Sequence, residues 1–271
     1  MKRLLKDIFS GVLNVVKRFV LTLASTLGVI AVFGIILEKL ETVINTKFYR
    51  SLGSFAVLFT AAIGTPLHET AHWLICKLFG FKIHDVELLR PVAFKQDGIL
   101  GYVSYSYDKE SIWQNLGCFF SGMAPILLGV IFIVLAVRLI KPEVVRGINE
   151  EIKKSRTIVS EPSFFVTYSM AFIAFWKNMF KKEKHGILRG IICLYIICSI
   201  SMHMTLSPQD ITASLPGLGI LLGLYLTYSI ITALIGTDYK VHMAKAAAFI
   251  AAFLSIGLVA DLVMLIPAII L

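Results

Sequence analysis

Apolar residues in this chain come in long blocks, and polar residues cluster between them. Six blocks stand out, at roughly 19–37, 54–79, 116–140, 187–206, 216–235 and 246–270. Each approaches the ~20 residues that a tilted helix needs to cross a bilayer. The pattern predicts an all-α polytopic membrane protein with about six transmembrane helices. No internal repeat or low-complexity linker divides it, so residues 1–271 read as one membrane domain. Within it, 1–53 holds an amphipathic segment and the first span, 54–215 a polar-motif core, and 216–271 two C-terminal spans.

Three connections add detail. Segment 92–107 contains Asp97-Gly98 between apolar and aromatic runs, then Tyr102, Ser104 and Ser106 alternating with Val103, Tyr105 and Tyr107. Those are turn and strand signals, and they predict a small β-hairpin. The basic connection 141–186 contains an apolar stretch, 164–176, too short for a span, which suggests an interfacial helix. Link 207–215 has no lysine or arginine and one acid, Asp210.

Composition supports the membrane reading. The chain is 57% hydrophobic and 16% charged, against about a quarter charged in soluble domains. Its net charge of +9 sits between apolar blocks, as expected for anchors near anionic lipid rather than for nucleic-acid binding. The bilayer is the partner this composition implies, with multi-pass integration into the cell (plasma) membrane. The four cysteines form no Cys-x-x-Cys pair, so neither a disulfide framework nor a thiolate metal site is indicated. The amphipathic start, through Arg18, shows no clear cleavage site and reads as an anchor rather than a removed signal peptide.

The chemistry lies in the second block. His68-Glu69-Thr70-Ala71-His72 places two histidines one helical turn apart, on one face. That spacing suits one Zn²⁺, with Glu69 beside it as general base. Ionisable groups inside a bilayer cost several kcal/mol unless paired, metal-bound or hydrated, which favours metal binding. Thr65-Pro66 just upstream predicts a helix start or a kink.

A catalytic zinc usually has three protein ligands and a water. No histidine follows His72 at the spacing of soluble zinc peptidases, and His84 falls beyond Gly80, in the loop. Asp210 has two readings, third ligand or helix cap. His203, seven residues earlier, has three: oxyanion stabiliser, alternative ligand, or hydrogen-bonded core residue. Glu161 and Glu183, the last two glutamates, sit in the charged connection and are poor candidates.

These elements resemble the site-2 protease family of intramembrane zinc metalloproteases. His68-Glu69-x-x-His72 is similar to the family's first motif, and Ser121-Gly122-Met123-Ala124-Pro125 to a Gly-Pro helix that packs beside it. Ser207-Pro208-Gln209-Asp210 is similar to the later motif that carries the metal-binding aspartate. The usual Asn before the proline and Gly after the aspartate are missing. The resemblance covers about 54–215. It implies zinc held by His68, His72 and Asp210, with Glu69 and His203 catalytic. It implies cleavage of membrane-embedded protein segments, for regulated proteolysis or membrane-protein turnover. Tyr102, Val103 and Tyr105, in the hairpin, are then candidates to hold an unwound substrate as an added strand. The resemblance also places zinc toward the cytoplasm, which leaves the basic 141–186 connection outside, against the positive-inside rule.

Two other function classes use the same polar groups: a transporter or channel with an intramembrane metal site, and an inactive zinc-binding scaffold. A transporter predicts more polar residues in the other spans, or inverted repeats, and neither is present. The intact Glu69 weighs against the scaffold.

Overall fold

A computed structural model of the chain describes residues 2–158, 164–181, 186–237 and 239–270. Glu161 and Glu183 lie outside them. The protein is mostly helical. Helix α1 (Lys2–Leu23) continues through a π-helical turn (Ala24–Gly28) into α2 (Val29–Leu52). Helix α3 (Ser54–Leu78) carries the histidine motif. Strand β1 (Lys82–Glu87), the short α4 (Phe94–Asp97) and β2 (Tyr102–Ser106) follow. Six helices follow among the described residues: α5 (Ile112–Ile140), α6 (Pro142–Ile158), α7 (Phe164–Met179), α8 (Gly186–Ser201), α9 (Pro208–Ile235) and α10 (Tyr239–Ile270).

Among the described residues, three helical runs are long and apolar enough to cross a membrane: Leu5–Leu52, Ile112–Ile140 and Pro208–Ile235. Gly186–Ser201 and Leu254–Ile270 are apolar but shorter. Helix α3 has the length, but its ionisable motif dilutes its apolar character. The first expected span, 19–37, is the middle of one continuous helical run, because nothing between 2 and 52 breaks it. The expected helix 187–206 ends at Ser201, and α9 begins at Pro208 rather than 216. Pro208 stands in the first turn behind a Ser207 cap, a stronger start signal than Pro216, which α9 accommodates internally.

The hairpin differs from expectation in its pairing. Strand β2 pairs antiparallel with 82–87, Val86 opposite Val103 and Ile83 opposite Tyr105, with a register shift between Ile83 and Asp85. Asp97-Gly98 is not a strand turn. It ends α4, with Gly98 left-handed at φ 74°, the conformation glycine favours. Arg90 ties this connection down, 2.5 Å from Glu87 and 2.8 Å from Asp97. The Ile99 N–H, and then Arg90, hold the Asp97 carboxyl below the usual range. The expected lone interfacial helix is one half of a packed pair, α6 with α7. Val144, Phe175 and Met179 of that pair join the main core with Leu37, Ile126, Ile133, Ile197 and Leu254.

Small residues let α3 approach its neighbours. Its buried residues, among them Val57, Ala61, Gly64, Thr65, Glu69, His72 and Cys76, form one stripe at helical spacing. At Gly64 the backbone meets α8, where a β-carbon would stand 2.0 Å from the Ser199 carbonyl oxygen. The Ser199 hydroxyl accepts from the Gly64 N–H at 2.9 Å and donates to the Thr60 carbonyl. It thus bridges a donor and acceptor four residues apart, a recognised way to open a helix. Pro66 leaves the Ala62 carbonyl without its helical donor, yet α3 runs on from Ser54 to Leu78 with Pro66 inside it rather than starting there. Replacing Gly64 with Val is expected to force α3 from α8 and lower stability by about 1–3 kcal/mol, measured by thermal unfolding in detergent.

Candidate metal centre

His68, Glu69 and His72 project from one stretch of α3, and Asp210 comes from the first turn of α9. The structure brings the two histidines and the aspartate together across about 140 residues of sequence. Their ligand atoms all lie within 4.8 Å of one another. His68 Nε2 is 3.1 Å from His72 Nε2. Asp210 Oδ1 is 3.2 Å from His72 Nε2, and Asp210 Oδ2 is 4.0 Å from His68 Nε2. Donors about 2.0–2.1 Å from a tetrahedral ion stand about 3.3 Å apart. Two imidazoles and a carboxylate at these separations therefore fit three corners of a tetrahedral zinc site.

Each imidazole is oriented through its other side. His68 Nδ1 donates to the His203 carbonyl at 2.6 Å. The His72 ring lies beside the Ser121 backbone, which acts on it electrostatically. Both carbonyls are available for identifiable reasons. Ser121 lies four residues before Pro125 in α5, and proline has no N–H to complete that helical bond. His203 lies just past the end of α8, where carbonyls lack helical partners. Carbonyls behind metal-binding histidines fix the tautomer, and here they leave both Nε2 atoms facing Asp210.

Asp210 caps a helix and also faces the histidines. Its Oδ2 accepts from the Ser207 backbone N–H at 2.9 Å and from the Ser207 hydroxyl at 2.6 Å, while the Asp210 N–H donates back to Ser207. This reciprocal capping box fixes the first turn of α9. Oδ1 is left toward His72. Contact between α5 and α9 sets the depth: a β-carbon on Gly122 would lie 2.3 Å from the Asp210 carbonyl oxygen.

Glu69 is 8% exposed and has no hydrogen-bond partner among the described residues. Gly101, just before β2, covers it, and a β-carbon there would come within 2.8 Å of Glu69 Cγ. Sequence reasoning missed Gly101. A glycine bordering a strand is a sign of close backbone approach, and that was the available signal.

The remaining candidates separate. His203 acts on the centre through its carbonyl, not as a ligand. Its ring is buried, with Nδ1 3.5 Å from the Thr65 hydroxyl and Nε2 without a partner. His84 bonds Ser106 within the sheet at 2.9 Å. The Tyr102 hydroxyl bonds Asp85, and its ring lies 5.3 Å from Arg90, so Tyr102 braces the loop. Val103 lies within the β1–β2 pairing. Tyr105 instead borders an open groove of about 500 Å³ between β2 and α9, with Tyr107, Pro208, Gln209, Thr212, Ala213 and Pro216. Tyr107 and Gln209 were not anticipated as groove residues, because only the tertiary fold sets β2 beside α9.

The chain matches no protein-family model and has no significant match among curated proteins or solved structures. The assignment of this centre therefore rests on its geometry and chemistry. Pro125→Ala is expected to return an N–H to the Ser121 carbonyl and loosen His72. Zinc affinity should fall roughly 10-fold or more, measured by chelator competition. His203→Ala should leave one zinc per chain by elemental analysis, since the group that holds His68 is a backbone carbonyl.

Proposed function

We propose that the protein is a zinc-dependent intramembrane endopeptidase of the site-2 protease kind, with His68, His72 and Asp210 as ligands. One observation carries the reading. Two histidines, each backed by a carbonyl, converge with a carboxylate beside an unpaired, nearly buried glutamate, in a helix that packs among apolar helices. A structural ion pair needs neither Glu69 nor two oriented Nε2 atoms. The six-span arrangement and a plasma-membrane location belong to the same proposal, as does a membrane-embedded protein segment as substrate.

His68, His72 and Asp210 would hold the zinc, which when bound would supply a Lewis acid. Glu69 would take a proton from the attacking water as its oxygen bonds to the peptide carbonyl carbon. It then gives the proton to the departing amine nitrogen as the C–N bond breaks. Gly101 and the loop backbone above Glu69 limit access of bulk water to its carboxylate. His203, whose Nε2 has no partner, is the side chain proposed to steady the developing oxyanion. A helical substrate hides its scissile carbonyl in a hydrogen bond and must unwind to react. The groove beside Tyr105 is proposed to receive the unwound stretch, with the outer edge of β2 available for strand pairing.

Glu69→Gln is expected to keep zinc while slowing cleavage of a membrane-embedded reporter by at least about a hundredfold. Wild-type cleavage by that variant would refute the proposal. Ala213→Trp, which fills the groove, should suppress cleavage while zinc content and unfolding temperature stay at wild-type values.

A further inference from the structure

The segment 202–207, between α8 and α9, serves the candidate centre twice. Its His203 carbonyl accepts from His68 Nδ1 at 2.6 Å, and its Ser207 caps the helical turn that carries Asp210. The segment is not helical, yet Met202, His203, Met204, Thr205 and Leu206 are all buried. Irregular backbone among apolar helices keeps its shape only where protein groups fix it.

Apolar contacts set the depth of the segment. Met202 packs with Ile44, Phe48 and Ala56, and Met204 lies against Gly129, where a β-carbon would meet it at 2.8 Å. Such contacts carry little direction, and methionine adapts readily to a shifted neighbour. Directional ties come from side-chain hydroxyls on either side of His203. Ser201, at the end of α8, donates to the Gly257 carbonyl of α10 at 2.7 Å. Thr205 donates to Glu41 Oε2 of α2, also at 2.7 Å. Asn45, one turn along α2, donates to Glu41 Oε1 at 3.2 Å and so fixes the rotation of the carboxyl group.

We infer that Glu41 is a positioning residue for the metal centre, acting through Thr205 on the segment that carries the His203 carbonyl and Ser207. The tie holds whether Glu41 is ionised or protonated, because a carboxyl oxygen can accept in either form. Without that acceptor, only apolar packing would hold the segment at Thr205. The His203 carbonyl would then move relative to His68 Nδ1, and the capped turn would move with Asp210. The inference rests on the metal-binding part of the proposed function and not on proteolysis.

The test uses the full chain in detergent, well below its unfolding midpoint. Zinc affinity is read by chelator competition, and ligand geometry by the visible spectrum of the Co²⁺-substituted protein. Glu41→Ala and Thr205→Val should each weaken zinc binding roughly 10-fold and alter the Co²⁺ bands. The double variant should be about as weak as either single one, since both remove the same tie. Glu41→Gln, which keeps an acceptor for Thr205, should restore wild-type affinity and spectrum. A purely structural role would lower the unfolding midpoint and leave affinity and spectrum at wild-type values, and that result overturns the inference. So do fully additive losses in the double variant. If Glu41→Ala does not fold, Thr205→Val and Glu41→Gln decide. Metal binding is read without substrate, so a metal-loaded wild type that cleaves nothing refutes the protease reading alone, whereas variants equal to wild type in affinity refute the positioning role alone.

Discussion

Everything at the candidate centre depends on two backbone carbonyls that have no helical donor. An imidazole can present one nitrogen to a metal only if the other is held, and inside an apolar bundle no water is at hand to hold it. The chain solves this with backbone. Pro125 removes the N–H that would occupy the Ser121 carbonyl, and the end of α8 at Ser201 leaves His203 outside the helical ladder. His68 uses the His203 carbonyl, His72 lies beside the Ser121 backbone, and their Nε2 atoms converge on Asp210. A proline that reads as a helix defect is thus part of the site.

Close helix approach is the second condition. Gly64 lets α3 touch α8 near Ser199, and Gly122 lets α5 touch α9 at the Asp210 backbone. In lipid, apolar side chains gain little from leaving their surroundings, so helices associate through tight packing and shared hydrogen bonds. At both glycines, packing and chemistry occupy the same surface. The buried stripe of α3 carries Val57, Ala61 and Gly64, and it also carries Glu69 and His72. Stability and function cannot be varied independently along it.

Asp210 shows how one side chain meets two demands. A carboxylate has two oxygens, and the structure assigns one to the start of α9 and the other to the histidines. The helix cap fixes the direction of the metal-facing oxygen.

The sequence by itself determined the helical, membrane-compatible character of the chain, the His68-Glu69-x-x-His72 spacing and the strand at 102–106. Each rests on a local rule: apolar run length, one turn of helix, or alternation along a strand. It also marked Asp210 as an acid without a basic neighbour. Local rules were weaker at boundaries, where Pro208 with Ser207 outranked Pro216, and where Asp97-Gly98 ended a helix instead of joining two strands. Only the tertiary structure decided that Asp210 reaches the histidines, that the His203 carbonyl holds His68, and that Gly101 covers Glu69. These are contacts between segments tens to hundreds of residues apart. Helix packing sets them, and no periodicity within one segment encodes them.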